Sequence, residues 1–304
     1  RSKKDLVDTV FNTYKISKTS IINMVGMVHS SYYRRPSFGR KGNKPSEFTY
    51  HNKNGLVTQD AVIASVKTIL SHPFIDCGYR LMTSYLTRDG YVINHKKLYR
   101  IMKEANLLKL EDRIDRSGSG RKFVKFRKVK TTKPFDCLEM DIKMVWIPSA
   151  GKNAYLLSVI DVHTRRILID LFAFSIKQAQ VITLLSDLFM NYQYPNNVVI
   201  RSDNGSQFIA KNVREYLGLI GVAQEFTHIA TPEENAHIEA YHGILKKEVF
   251  QRFEYRTFGE IEKILKEYVL FYNKERLHGL LGRITPMEKW YADKHLILMN
   301  KLTA

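Results

Sequence analysis

The apolar pattern between residues 134 and 255 changes period in a set order, and that order limits the fold more tightly than anything else in the chain. Cys137 to Ile147, Ala154 to Val162 and Arg166 to Phe174 are three successive strand-like runs. Ile176 to Tyr192 then switches to helical spacing, with Val181, Leu184, Leu185, Leu188 and Phe189 along one side. Asn197 to Arg201 reads as a short buried strand. A helix near 211–219, a strand near 223–229 and a long helix from Glu233 towards residue 250 follow. Three adjacent strands and then alternating helices and strands predict an α/β domain, one mixed sheet flanked by helices.

Helical segments surround this core. Residues 1–35 predict short helices. Leu6, Val7, Val10, Phe11 and Tyr14 repeat at helical spacing, Ser17 or Thr19 is placed to cap a second helix, and Gly26 permits a turn. The pattern fits an N-terminal helix-turn-helix, with a plain helical hairpin as the alternative. Residues 36–57, rich in Pro, Gly, Lys and Asn, read as a linker. Residues 58–108 form a second helical, helix-turn-helix-like unit. In it Asn94 caps a helix that is apolar at Leu98, Ile101 and Met102 and basic at Lys96, Lys97, Arg100 and Lys103. Such a two-sided helix can lie in a DNA groove. Residues 109–133 are a basic linker, 134–255 the α/β core and 256–304 a C-terminal helical extension.

Charge narrows the partners. The chain of 304 residues carries 48 Lys and Arg against 30 acids, a formal net charge of +18. An anionic partner offsets the self-repulsion of such an excess. From Arg113 to Lys133, nine basic residues face one acid, Asp115. Arg121, Lys122, Lys125, Arg127, Lys128 and Lys130 alternate with Phe123 and Phe126, as a linker that tracks phosphates would. Double-stranded DNA is the expected partner. No apolar run of about 18 residues and no lipidation signal supports a membrane role. Arg1 to Asp8 is too polar for a signal peptide. The expected location is the cytoplasm, on the nucleoid when DNA is bound. Cys77 and Cys137 match no ligand spacing and read as reduced, buried thiols.

Three acids stand out. Asp141 sits mid-strand in Leu138-Glu139-Met140-Asp141-Ile142, where a charge among apolar neighbours calls for a reason. Asp203 follows the buried run Val198-Val199-Ile200, and strand carboxyl ends are where open sheets carry ligands. Glu239 lies beside the core stripe Ile238, Tyr241, Leu245 and Val249 of the last long helix. Phosphoryl transfer on DNA needs charge neutralised at the attacking and leaving oxygens, which two hard cations on carboxylates supply.

The words around these acids carry a resemblance. Thirty-five residues separate Asp203 from Glu239. Ser202-Asp203-Asn204-Gly205-Ser206-Gln207-Phe208 resembles the second-aspartate motif of retroviral-integrase-like enzymes, and Asn235-Ala236-His237-Ile238-Glu239-Ala240-Tyr241-His242-Gly243 resembles their glutamate helix. Tyr272-Asn273-Lys274-Glu275-Arg276-Leu277-His278, continuing to Thr285-Pro286, resembles the ending of transposases of the insertion-sequence-three family. His72-Pro73, Gly78-Tyr79-Arg80 and Arg100-Ile101-Met102-Lys103-Glu104 resemble that family's internal helix-turn-helix. The resemblance covers residues 60–290. It implies a ribonuclease H-like core, with Asp141, Asp203 and Glu239 as catalytic residues holding two Mg2+ ions, Mn2+ being the alternative. It implies cleavage and strand transfer of element ends, a homodimer or larger homo-oligomer on DNA, and no nucleotide cofactor. Lys246, two helical turns after Glu239, stands where the family often has a basic, DNA-facing residue.

The sequence departs from the family in places. Lys143 stands where the family has Thr, and Cys137-Leu138 where it has Trp. Glu139, on the same strand face as Asp141, is the rival first acid. Glu234 reads as a helix-start acid favoured by the dipole. His237 and His242 read as DNA-facing or surface residues. A DNA-binding regulator with an inactive nuclease fold and a plain metal-dependent endonuclease are the alternative functions. The chain begins without Met, and the resemblance implies a longer product with an upstream helix-turn-helix and coiled coil.

Overall fold

Ser17 supplies the first local constraint: its hydroxyl accepts from the Ser20 amide and starts a second helix where the first has ended. The computed structural model describes residues 3–33, 46–109, 129–228 and 232–299. Two units divide the chain, one up to Glu47 and one from Phe48 onwards. In the first, α1 (Lys3–Tyr14), α2 (Lys18–Met24) and α3 (His29–Tyr33) close around Val7, Ile21 and Ile22. Gly26, at φ +61°, makes the turn before α3.

The second unit begins with a hairpin in the stretch read as linker. β1 (Phe48–His51) pairs antiparallel with β2 (Gly55–Thr58). The buried His51 closes the turn, since its Nδ1 accepts from the Lys53 and Asn54 amides. Its Nε2 then carries the proton and donates to the Asp89 carbonyl at 3.1 Å. After α4 (Gln59–Leu70) and α5 (Tyr79–Asp89), the left-handed Gly90 (φ +111°) turns the chain into β3 (Tyr91–Val92), which completes a three-stranded sheet. A Cβ at Gly90 would lie 3.3 Å from His51 Nε2. α6 (His95–Glu104), capped by Asn94, buries Leu98, Ile101 and Met102 against Val62, Val66, Met82 and Leu86.

The main sheet contains β4 (Cys137–Ile147), β5 (Lys152–Asp161) and β6 (Ile167–Ala173), then β7 (Val199–Ser202) and β8 (Ala223–Phe226). Its order is β6-β5-β4-β7-β8, antiparallel through β4 and parallel from β4 to β8. This is the mixed, helix-flanked sheet of the ribonuclease H-like class. α7 (Gln178–Asn191), α8 (Ser206–Ile209) and α9 (Lys211–Leu219) cover one face. There Leu138, Met140, Leu157 and Val159 meet Val181, Leu185, Leu188, Val213 and Leu217. α10 (Ala236–Leu245) and α11 (Phe258–Lys274) cover the other, over Val145, Ile147, Leu156 and Ile160. The period of two along each strand explains the division: even-numbered β4 residues face one core and odd-numbered ones the other. Glu139 and Asp141 are odd and lie on the α10 side.

The C-terminal segment joins these parts. α12 (Pro286–Asp293), capped by Thr285, places Trp290 in the first core, while α11 belongs to the second. α13 (Leu296–Met299) ends the described chain. Phe74, between α4 and α5, inserts into the second core against Phe253, Tyr268 and Phe271, at centroid distances of 5.2–5.5 Å. Tyr85 Oη donates to the Glu275 carbonyl and accepts from the Leu277 amide. Arg88 makes a bidentate pair with Glu288 at 2.7 and 2.9 Å.

Candidate active site

Two neighbouring parallel strands carry the first two acids. In the β4–β7 ladder Cys137 pairs with Val199, Leu138 with Ile200 and Glu139 with Arg201. Asp141 and Asp203 each lie two residues beyond that last rung, Asp203 just past the end of β7. Paired strands lie about 4.8 Å apart, a separation that two carboxylates on one ion can span. β7 stops at Ser202, and Asp203 folds back locally, its Oδ1 accepting from the Gly205 amide at 2.9 Å. Asn204 Nδ2 donates to the Thr227 carbonyl and ties this loop to the chain leaving β8. A Cβ at Gly205 would come within 3.0 Å of Asp203 Oδ1 and closer still to Gln207 Nε2, so a larger residue here would shift both side chains.

Glu139 and Asp141 share a face yet differ in what surrounds them. Glu139 is fully buried and accepts from the His237 and Ile238 amides, each at 2.9 Å, and from His237 Nδ1 at 2.6 Å. Burial pushes its carboxyl up to about 7, against the opposing pull of the Ile238 amide. Its oxygens are committed to the first turn of α10. Asp141 keeps 23% of its side chain exposed. Its Oδ1 accepts from the Ile142 amide at 2.8 Å, and its Oδ2 lies 3.2 Å from His242 Nδ1. Of the two rivals, Asp141 is the one with solvent-facing oxygen.

α10 brings the third acid. Ile238, Tyr241 and Leu245 are buried against the sheet and Glu239 faces outward between them. The expectation that His237 and His242 lie on the surface is corrected. His242 is 8% exposed and meets Asp141, and His237 is half-buried on Glu139. Both turn inward because the strand beneath offers carboxylates to the helix. Glu234 does precede the helix, in a 3-10 turn at Pro232–Asn235. It is buried there, accepting from the amide and Nδ1 of His228 at 3.0 Å.

Beyond α10 the helix widens into a π turn at Lys246–Phe250. Lys246 is exposed, and Glu248 turns into the core. Arg276 grips Glu248 through Nε and Nη2 at 2.8–3.1 Å, and Tyr268 donates to it at 2.8 Å. Asn273 makes a two-way bond with the backbone of Ile167, at 2.9 Å in each direction. The buried His278 meets the Tyr272 ring edge-on, and burial lowers its pKa to about 3. The Tyr272-to-His278 motif thus clamps the glutamate helix and the edge strand to α11. Pairing of these residues across 28 and 106 positions is not visible in the sequence.

The basic candidates separate. Lys96, Lys103 and Lys130 are exposed. Lys97 is half-buried, with its ammonium on the Phe48 carbonyl, and Arg100 is half-buried 3.8 Å from Glu104. Arg121, Lys122, Lys125, Arg127 and Lys128 lie outside the described residues. Among the described residues no three His, Cys, Asp or Glu side chains already stand in metal-holding geometry. Burial raises the thiols of Cys77 and Cys137 to about 12, as expected of unreactive cysteines.

Residues 131–232 and 239–296 match integrase core domain families, and residues 60–110 match an HTH-like domain. InsK of Escherichia coli (strain K12), a transposase by name from insertion sequence element IS150, is 27% identical over 258 residues, or 80% of this chain and 88% of its own. An uncharacterized 31.7 kDa protein of insertion element IS407 from Burkholderia multivorans is 24% identical over 78% of this chain and 83% of its own. The catalytic core domain of BIV integrase is 18% identical, across 53% of this chain and 97% of that one, with a TM-score of 0.41. With an HTH-like domain ahead of an integrase core, and insertion-element relatives across most of its length, the chain belongs to the insertion-sequence-three family of transposases and is a DNA transposase.

Proposed function

We infer that this transposase cuts and rejoins insertion-sequence ends by metal-dependent phosphoryl transfer, with Asp141, Asp203 and Glu239 as the acidic triad. The observation that supports this reading is the register: the last paired rung of β4 and β7 is Glu139 with Arg201, and Asp141 and Asp203 each follow it by two residues. The helix bearing Glu239 is meanwhile bonded to the same strand through Glu139, with His242 3.2 Å from Asp141. All three donors are hard oxygens, and Asp203 and Glu239 are exposed, so the set suits Mg2+ or Mn2+. Bound there, two such ions would neutralise charge at the attacking and leaving oxygens.

The chain's own residues position the rest. Water attacks the phosphodiester at the element end, and the P–O3′ bond breaks to leave a 3′-hydroxyl. That hydroxyl then attacks a target phosphodiester and displaces another 3′-hydroxyl, so the number of phosphodiester bonds is conserved and no nucleotide is consumed. Lys246, exposed two turns along from Glu239, faces the strand phosphates on the same side. Lys96 and Lys103 on α6, with Lys130, Arg100 and the basic stretch 109–133, hold duplex DNA. At least two copies act together, because two element ends must be held at once. The work takes place in the cytoplasm, where no membrane anchor is needed; among the described residues no helix is long and apolar enough to cross a membrane.

Labelled duplexes carrying an element end test this. Asp141→Asn, Asp203→Asn and Glu239→Gln should each abolish end cleavage while the gel-shift midpoint stays within about twofold. Full cleavage by any of the three removes that residue from the triad. Pre-cleaved ends with a free 3′-hydroxyl should be joined to target DNA by the unaltered chain. Cleavage without joining would make the protein an endonuclease.

A further inference from the structure

We propose that His242 is a positioning residue: its imidazole, packed against Asp141 Oδ2, restrains that carboxylate and couples it to the helix carrying Glu239. This rests on the reading of Asp141 as a metal-binding acid.

His242 Nδ1 lies 3.2 Å from Asp141 Oδ2, a close polar contact rather than an aligned hydrogen bond. The other oxygen, Oδ1, takes the amide of the next residue, Ile142. Both oxygens therefore keep lone pairs for another partner. Without His242, only a local amide would restrain the side chain.

The spacing shows how strand and helix are matched. Along β4, Glu139 and Asp141 are two residues apart, about 6.6 Å. Along α10, Ile238 and His242 are four residues apart, about 6.0 Å. Glu139 receives the Ile238 amide and Asp141 touches His242, so the helix meets the strand at two points of nearly equal separation. Glu239 lies between the two contacts. A shift of Asp141 relative to Glu239 must break one of them.

The imidazole has little else to do. It is 8% exposed, and among the described residues its Nε2 has no hydrogen-bond partner. An apolar ring of similar size would satisfy the packing as well or better, since burying an unpartnered polar atom is unfavourable. Histidine here serves Asp141 and not the core.

Manganese binding to the full chain without DNA, followed by electron paramagnetic resonance, tests the proposal alongside thermal unfolding without metal. His242→Phe should leave the metal-free Tm unchanged or raised and weaken manganese binding roughly 10–100-fold, the usual loss when an outer partner of a metal ligand is removed. His242→Asn, which keeps a polar N–H group beside Asp141, should recover most of the affinity. If Asp141→Asn loses manganese while His242→Phe binds it as the unaltered chain does, the role of His242 is overturned. If Asp141→Asn itself keeps full affinity, the metal-site reading fails and this proposal with it. Should His242→Phe not fold, His242→Ala measured in the same way decides between the same outcomes.

Discussion

A single buried acid on β6 carries a measurable pH signature. Asp170 lies across β5 from Asp141, both paired with Ser158, on the face covered by α10 and α11. Burial raises its carboxyl to about 6 from an ordinary 3.8, opposed by the Lys266 ammonium. Tyr241 and Ser158, both buried, lie on the same side and bring no charge. A carboxyl with a raised folded pKa adds stability that is full below its unfolded pKa and is lost as pH rises through the folded one. Asp170 therefore costs the fold progressively between about pH 4 and 7. Asp170→Asn removes that dependence. Relative to the unaltered chain it should gain roughly 2 kcal/mol on going from pH 4.5 to pH 8, about one and a half pK units of linkage. Urea unfolding at the two pH values reads this directly. An offset that stays constant with pH would show that Asp170 is not held in its neutral form. Glu139, raised to about 7, adds a slope of the same sign, and His278, lowered to about 3, one of the opposite sign up to its ordinary 6.5.

Among elements, the contacts that dock the 58–108 helices on the C-terminal segment differ widely in weight. Arg88 and Glu288 are bidentate but 39% and 47% exposed. Exposed pairs contribute at most about 1 kcal/mol. Phe74 is 5% exposed inside the second core. Deleting a buried phenylalanine costs about 3–5 kcal/mol. Denaturant titration should place Phe74→Ala far below Arg88→Ala in stability; equal losses would mean that the ion pair, not the ring, holds the docking. The sequence made the helices of this region legible but not their docking, because Phe74 reads equally well as a loop residue. The main sheet was legible because its first three strands are long and rich in apolar residues. Glu139 could be set apart from Asp141 only once α10 was seen to begin over it. The hairpin at 48–58 was hidden by its polar turn, although Asn54-Gly55 between two short runs rich in aromatic and β-branched residues is a recognisable signal. The inward turn of His237 and His242 depends on carboxylates about a hundred positions earlier, and no local pattern encodes it.

For the whole molecule, an excess of +18 makes DNA binding steeply salt-dependent. Each phosphate contact adds about 0.9 to the slope of log affinity against log salt. The structure divides the basic helix α6 by availability. Lys96 and Lys103 point to solvent, whereas Lys97 spends its ammonium on the Phe48 carbonyl. Replacing Lys96 and Lys103 together by Ala should lower the slope by about 2, and Lys97→Ala should barely change it. A salt titration in which Lys97→Ala has the larger effect would mean that the lysine leaves Phe48 when DNA arrives.

Docking across the length of the chain also has a consequence in time. Phe74 is made early, but its partners Phe253, Tyr268 and Phe271 come roughly two hundred residues later, as do Leu277 and Glu288 for Tyr85 and Arg88. A chain emerging from the ribosome therefore carries a bare phenylalanine until α11 has been synthesised. Product truncated before that helix would expose it permanently, and exposed apolar surface of this kind invites aggregation. Only a chain extended through α11 can cover its own apolar contact.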